Sequence, residues 1–391
     1  MVGLGAAAIV VAVASLLASL LDAPDAAPLL RVVAIAGVAA RYSEVRRALL
    51  ERSLSFRRSV GIQSASVAVG WIAAVVAASQ GAGAWSMVIQ LVTTEIVQAA
   101  ALATGPGRRV PALHRDEIGP LWTHGREVLG AGVGAFVFNN GDDAAVSATL
   151  GPAALGPYRF AYDIANAVTY MLTRPVNRLL QPVWARVRAD LGNWAYAYHE
   201  VLRMLSLVGG ILVLGIAVHG PAALGVAYDG RWDFITPTIR AFAVYGLFRV
   251  VGASTGSIFV AAERPAVMRR IITGQNIGLL VALPIGLATD DITWVAVAVT
   301  VPLVVATLVS LAAACSITTL PRREAVRTIV GGWTIGLAVN LAGVPVRLAV
   351  DDEVIGLGLA GAVVAALAGL VVARSGVLRR AEAVSVSASA G

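Results

Sequence analysis

The chain has 391 residues, of which 58% are hydrophobic and 14% charged, with a mean hydropathy of +0.79. Soluble domains carry about a quarter charged residues, so the composition excludes one. The net charge of +7 comes from 30 basic and 23 acidic residues, and every basic one is Arg. These arginines cluster in short loops beside apolar runs, which reads as membrane topology and anionic-lipid contact and excludes nucleic acid as a partner.

Apolar periodicity predicts helices over Val2–Leu21, Pro28–Ala40 (continuing along the interface to Leu50), Ser59–Ser79 and Ala82–Thr104. After a polar stretch come Val128–Leu150, Pro157–Trp184, Val201–Val226, Ile235–Ala262, Ala266–Ala288, Thr293–Ser316, Ala325–Val350 and Val354–Val372. Runs of roughly 20 apolar residues span the hydrocarbon core, so the expected fold is an all-α membrane protein of about twelve transmembrane helices.

Loop charge alternates along this series. Asp22 and Asp25 are followed by Arg41, Arg46, Arg47, Arg52, Arg57 and Arg58; later, Asp290-Asp291 and Asp351-Asp352-Glu353 interleave with Arg264, Arg269, Arg270 and with Arg322, Arg323, Arg327. Short basic loops stay cytoplasmic, which places both termini inside. Val2–Leu21 lacks a basic leader and reads as a helix, not a signal peptide. The longest break, Gly105–Glu127, holds Gly105-Pro106-Gly107 and reads as a link between two bundles. The expected organisation is a four-helix bundle over 1–104, a cytoplasmic linker over 105–127 and a six-helix bundle over 128–316. Two further helices over 325–372 and a cytoplasmic tail over 373–391 complete it.

Polar residues at membrane depth are costly and are functional candidates by default. Asp163, Asn166, Tyr170, Arg174 and Asn177 follow helical spacing in Pro157–Trp184 and are expected to share one face, with Pro175 loosening the helix. Arg174 and Arg178 can bind a substrate or snorkel to the interface. Asn139, Asn140, Asp142 and Asp143 fall in the preceding helix. Adjacent residues point about 100° apart, so one of the two carboxylates is expected to face a cavity, pairing an Arg or carrying a coupling ion. Arg249 lies deep in Ile235–Ala262 and can offer a bidentate fork to phosphate, with Arg240 as a further candidate. In the same helix Gly252 and Gly256 form a small-xxx-small pair suited to close helix contact, while Ser86, Gln90, Thr94 and Gln98 read as interhelical glue.

No metal or cofactor site is expected. Cys315 is a lone cysteine in an apolar segment and reads as a small core residue. His114, His124, His199 and His219 fall in loops or near helix ends without metal spacing and read as solvated or capping residues. GxSxG, HExxH and P-loop patterns are absent from the sequence, so a non-enzyme is expected.

Several motifs resemble one known family. Ala48-Leu49-Leu50-Glu51-Arg52-Ser53-Leu54-Ser55-Phe56-Arg57 resembles a cytoplasmic loop of that family, and Gln80-Gly81-Ala82-Gly83-Ala84-Trp85 its glycine–tryptophan turn. Asp142 followed by Leu150-Gly151-Pro152-Ala153-Ala154-Leu155-Gly156-Pro157-Tyr158-Arg159-Phe160-Ala161-Tyr162 is similar to the entrance of its second bundle, and Leu180-Gln181-Pro182-Val183-Trp184-Ala185-Arg186 to the end of that helix. The family is the polysaccharide-transporter branch of the multidrug/oligosaccharidyl-lipid/polysaccharide exporter superfamily. The resemblance implies a fourteen-helix, two-bundle fold, of which this chain carries twelve, its first helix matching the family's third. The bundle over 1–104 is thus incomplete, and inside/outside parity is retained.

The resemblance also implies a flippase of the prokaryotic cytoplasmic membrane that moves polyprenyl-pyrophosphate-linked saccharides by alternating access, with polysaccharide polymerases or glycosyltransferases and membrane lipids as partners. The expected substrate cavity is lined by Arg174, Arg178, Arg249, Arg240, Asn166, Tyr170 and Asn177. Asp142, Asp163 and Asp143 balance charge or couple an ion. The alternatives are an ion-coupled small-molecule exporter of the same fold and a non-transporting scaffold for envelope polysaccharide assembly.

Overall fold

The computed structural model describes residues 2–20, 25–52, 56–103, 140–187 and 194–375. Their backbone forms twelve α-helices, and nine of these are long and apolar enough to cross a membrane. The expected linker 105–127 and the tail beyond residue 375 lie outside the described residues. Two compact units divide the chain, Met1–Asn139 and Asn140–Gly391.

The first unit contains α1 (Val2–Leu20), α2 (Ala26–Arg52), α3 (Phe56–Ser79) and α4 (Trp85–Ala103). The interfacial extension expected after Ala40 is part of α2, one continuous 27-residue helix. Arg31 Nη2 donates to Ser15 Oγ at 2.8 Å and ties α2 to α1. Gly81 and Gly83 adopt φ of 83° and 53°, left-handed values that glycine reaches without a Cβ penalty, and these turn α3 into α4. At Gly70 of α3 a Cβ would overlap the Thr94 hydroxyl of α4. Thr94 and Gln98 are buried, and Thr94 returns its hydroxyl to its own helix at Gln90 O. The polar face of α4 therefore serves close packing.

The second unit contains α5 (140–150), α6 (Pro152–Val187), α7 (Trp194–Tyr228), a 3₁₀ turn (Asp233–Ile235), α8 (Thr236–Ala261), α9 (Pro265–Leu287), α10 (Ile292–Thr318), α11 (Arg322–Leu348) and α12 (Glu353–Ser375). Gly151, at φ 87°, turns α5 into α6. With 36 residues, α6 is roughly 54 Å long, longer than the ~30 Å hydrocarbon core. It runs helically through Pro175 and is too polar to count among the nine apolar spans.

Central to this unit is α8, which packs against α6, α7, α9 and α10. The apolar core falls in two parts. One gathers Val146, Tyr158, Ile239, Phe242 and Val295 around the start of α8; the other gathers Trp184, Tyr198, Val250, Ile258 and Cys315 around its end. Between them, at the level of Tyr245–Arg249, the contact between α6 and α8 turns polar.

Candidate functional site

The site begins with the two carboxylates of α5, and both are engaged. Asp142 is buried, and its Oδ2 accepts from Tyr158 Oη at 2.8 Å. Asp143 Oδ2 accepts from Arg159 Nη1 at 2.5 Å. Consecutive carboxylates on α5 thus meet consecutive donors on α6, because antiparallel helices joined by a one-residue turn bring these neighbours face to face. Only one carboxylate was expected to find a cavity or partner. The 100° between the two is absorbed by the side chains of Tyr158 and Arg159, which reach them from either side. Arg159 bridges further, its Nε lying 3.2 Å from the Asp163 carboxylate.

An aromatic tier follows. The Arg159 guanidinium lies 5.2 Å from the centroid of the Tyr162 ring, and the hydroxyls of Tyr162 and Tyr170 are 3.2 Å apart. Tyr162 meets Phe242 edge-on at 5.1 Å and Tyr245 at 6.0 Å, which carries the network from α6 to α8. Arg249 closes it: Nη1 donates to Tyr245 Oη, and its guanidinium sits 5.0 Å from the Tyr170 ring and 5.5 Å from the Tyr245 ring.

The two arginines of this network differ in kind. Arg159 is neutralised by two carboxylates, whereas no carboxylate among the described residues pairs with Arg249. Arginine keeps its charge in proteins, and drawing a charge even half out of water without a counter-ion is costly; Arg249 is half-buried. The quadrupoles of two rings and one hydroxyl offset part of that cost; an anion would offset the remainder. Between Tyr162 and Tyr170 on α6, Asn166 is fully buried, its Nδ2 donates to Tyr162 O at 3.0 Å, and its Oδ1 has no partner among the described residues. Thr169 Oγ1 is likewise buried without a partner, against Gly246 of α8, where a Cβ would approach it to 2.9 Å. This level of the α6–α8 contact therefore holds one uncompensated cation and two unused polar atoms, the equipment for an anionic ligand with hydroxyl or amide groups.

Of the residues expected from sequence, Asp142, Asp143, Asn166, Tyr170 and Arg249 are joined by this network. Asp163 reaches it through Arg159 but is 57% exposed: the stripe divides, since the buried positions of α6 run Tyr158, Tyr162, Asn166, Thr169, Thr173 and leave residue 163 on the rim. Arg240 is exposed on α8 and is not brought to Arg249. The side chains of Arg174, Asn177 and Arg178 lie outside the described residues. Sequence reasoning missed Tyr158, Arg159, Tyr162 and Tyr245. Their signal was present as Tyr158 and Tyr162 four residues apart on α6, and Tyr245 four residues before Arg249 on α8, spacings that place side chains on one face.

Two histidines also depart from expectation. Both lie within α7 and join it to α11: His199 Nε2 is 2.8 Å from Thr328 Oγ1, and His219 Nε2 donates to the backbone carbonyl of Asn340 at 3.1 Å. His114 and His124 lie outside the described residues.

Nine helices long and apolar enough to cross a bilayer define a multi-pass helical membrane protein, whose second unit holds a guanidinium in the α6–α8 contact. Residues 1–237, well over half of the chain, match the model of a family described as polysaccharide biosynthesis protein, and the chain belongs to that family. Lipopolysaccharide biosynthesis protein WzxC of Escherichia coli (strain K12) is 26% identical over 275 residues, 67% of this chain and 54% of that protein. Succinoglycan biosynthesis transport protein ExoT of Rhizobium meliloti (strain 1021) is 24% identical over 237 residues, covering 58% of this chain and 46% of that protein. The chain spans about half the length of these curated relatives. Among solved structures, lipid II flippase MurJ in an inward closed conformation shares the fold, with a TM-score of 0.66 at 12% identity over 88% of this chain and 74% of that one.

Proposed function

We propose that the protein moves a polyprenyl-pyrophosphate-linked saccharide across the cytoplasmic membrane of a prokaryote by alternating access. The observation that carries this reading is Arg249, an arginine within a helical bundle held by tyrosines and, among the described residues, by no carboxylate. A polar head group cannot cross ~30 Å of hydrocarbon unaided, and a guanidinium offers pyrophosphate a two-pronged hydrogen-bonding partner. Asn166 Oδ1 and Thr169 Oγ1 offer hydrogen bonds to the first sugar, with Tyr170 beside them. Arg174, Asn177 and Arg178 follow in the same helix and are kept, on their spacing in the sequence, as further candidates for the substrate. Asp142, Asp143 and Asp163 balance charge through Tyr158 and Arg159, while Arg240 has no part. The names of the relatives support the substrate class: one is a transport protein for a polysaccharide and another a lipid II flippase.

In this reading residues 105–127 form the cytoplasmic link between bundles, both termini are cytoplasmic, and the acidic connections face outward. In a strain lacking other exporters of the family, Arg249→Ala abolishes outer-leaflet saccharide at normal membrane abundance. Arg249→Lys restores part of it, keeping the charge and losing the fork. Full activity of Arg249→Ala overturns the reading. Orientation is tested in a Cys315→Ser background with single cysteines at Arg52, Arg115, Asp290 and Asp352 and an impermeant thiol reagent on intact cells. The last two label and the first two do not; the reverse pattern inverts the topology.

A further inference from the structure

Gly332 and Gly336 of α11 lie against Ser206, Leu207 and Gly210 of α7, which sets these two helices side by side and parallel. Further along, two polar residues join them. Asn340 is fully buried; its Nδ2 donates to Ile211 O of α7 at 2.9 Å and to Gly336 O of its own helix at 2.8 Å. His219 reaches back from α7, its Nε2 donating to Asn340 O at 3.1 Å.

These bonds fix which atoms remain. With both amide protons spent, Asn340 has only Oδ1 left, turned to Gly215, where a Cβ would stand 3.1 Å away. With Nε2 donating, His219 is neutral as long as Nδ1 carries no proton. Both Oδ1 and Nδ1 are buried without a partner, so the ring and the amide share no hydrogen bond through these atoms. A second proton on His219 has one place to go, Nδ1, and no acceptor among the described residues meets it there.

The charges around the ring make that proton costlier. Between Arg203 and Tyr228, α7 carries no other titratable side chain. From α11 comes Arg347, whose positive charge reaches the ring. Helix α12 meets the junction through Ala360 and Val364, beside Gly343, and keeps Glu353 and Arg374 at its two ends. On α8, Val250 lies against Gly209 and Gly246 against Val213, a register that brings the exposed Arg240 to this level. Asp233 lies over Gly225 and Gly230, roughly 9 Å further along α7. Among the described residues, an imidazolium here faces cations and no counter-ion.

Two prolines weaken the backbone at the same level. Pro221 lies inside α7 and Pro345 inside α11; each withholds the N–H that its helix would give to the preceding turn, and helices kink at such positions. We infer that His219 and Asn340 form a latch that holds the outer ends of α11 and α12 to α7 while the ring is neutral and releases them when it is protonated. Histidine changes charge between about pH 5 and 8, so the latch is closed at the upper end of that range and opens toward the lower. The glycine contact stays closed in both states. The transport reading above supplies only the side of the membrane: it places residues 228 and 348 outward, so the latch responds to acid outside the cell.

The test reads a distance and no transport, so its failure is separate from failure of the Arg249 reading. Tyr228→Cys and Leu348→Cys, both at exposed positions, carry nitroxide labels in a Cys315→Ser background of the full chain in lipid nanodiscs. Pulsed electron resonance then reports the separation of the outer ends of α7 and α11. From about pH 8 to about pH 5 that distance is expected to grow by roughly 2 Å or more and to return on neutralisation. Labels on Leu212→Cys and Ile335→Cys, next to the glycine contact, should keep their distance. His219→Gln retains an N–H for Asn340 O and cannot titrate, so its outer ends stay together throughout. Arg347→Gln removes the repelling cation and moves the midpoint of opening to higher pH, which tests the latch even if His219→Gln fails to fold. A distance that ignores pH, an equal opening in His219→Gln, or a midpoint unmoved by Arg347→Gln overturns the latch.

Discussion

The contact between α7 and α11 is built from glycine where the contact between α5, α6 and α8 is built from charge. In the first, Gly332 of α11 stands where a Cβ would come within 2.8 Å of Leu207 N, and a Cβ at Gly336 would overlap the carbonyl carbon of Gly210. Backbones that approach this closely gain dispersion contacts along their length. Polar staples then fix the register: Asn340 Nδ2 donates to Ile211 O at 2.9 Å, with His219 and His199 bonding across the same pair of helices. In the second contact tyrosine and arginine side chains of α6 and α8 meet one another between the helices. One seam sets backbone against backbone at Gly332 and Gly336, and at its start charged groups are matched across it, as where His199 lies 3.7 Å from the Glu324 carboxylate. The other has a cation that its own residues leave uncompensated. A membrane bundle can therefore keep one pair of helices as a rigid unit and hold its binding equipment in another.

The largest expected effect falls on the glycine seam. Gly336→Leu places a side chain inside the backbone of α7 and should destroy the folded protein, read as loss of the monodisperse peak in detergent; Gly336→Ala should cost about 3 kcal/mol. A leucine tolerated without loss of thermal stability would show that α7 and α11 are not the rigid pair. Next in size is Arg249→Met. It removes a half-buried charge that no carboxylate among the described residues neutralises, so the variant should be more stable by about 1 kcal/mol while losing pyrophosphate binding. Destabilisation would mean that the guanidinium is already well compensated.

Smaller again is the carboxylate side of the network. Asp143→Asn and Arg159→Met should each destabilise by about 1–2 kcal/mol, and the double variant should cost less than their sum, as a thermal-unfolding double-mutant cycle would report. Additive losses would show that the 2.5 Å pair contributes nothing as a pair. Smallest is Arg240→Ala, exposed and unconnected to Arg249, which should change neither stability nor export; a transport defect would return it to the site.

Where close packing falls shows the boundary of what could be read without coordinates. The pair Gly252/Gly256 has the small-xxx-small spacing, but the two serve different neighbours: Gly252 lies tightly against Thr307 of α10, and Gly256 faces Met268 of α9 at ordinary distance. The pair that joins two backbones is Gly332/Gly336, whose spacing is identical. Spacing says that two glycines share a face and is silent on which helix arrives there. The same limit explains Arg159. Its place in the chain gave no reason to prefer it over Arg240, until the turn at Gly151 folded α5 back and set Asp143 against it.

Hydropathy and loop charge by themselves determined a helical membrane protein and the order of its helices, and singled out Asp142, Asp143, Asn166, Tyr170 and Arg249 as polar residues in apolar surroundings, because a bilayer punishes unsatisfied backbone and unpaired charge wherever they occur along the chain. Only the tertiary structure decided which of those charges are neutralised. Partnership depends on contacts between residues far apart in sequence: Tyr245 and Arg249 on α8 meet Tyr162 and Tyr170 of α6 through helix packing that local periodicity does not encode.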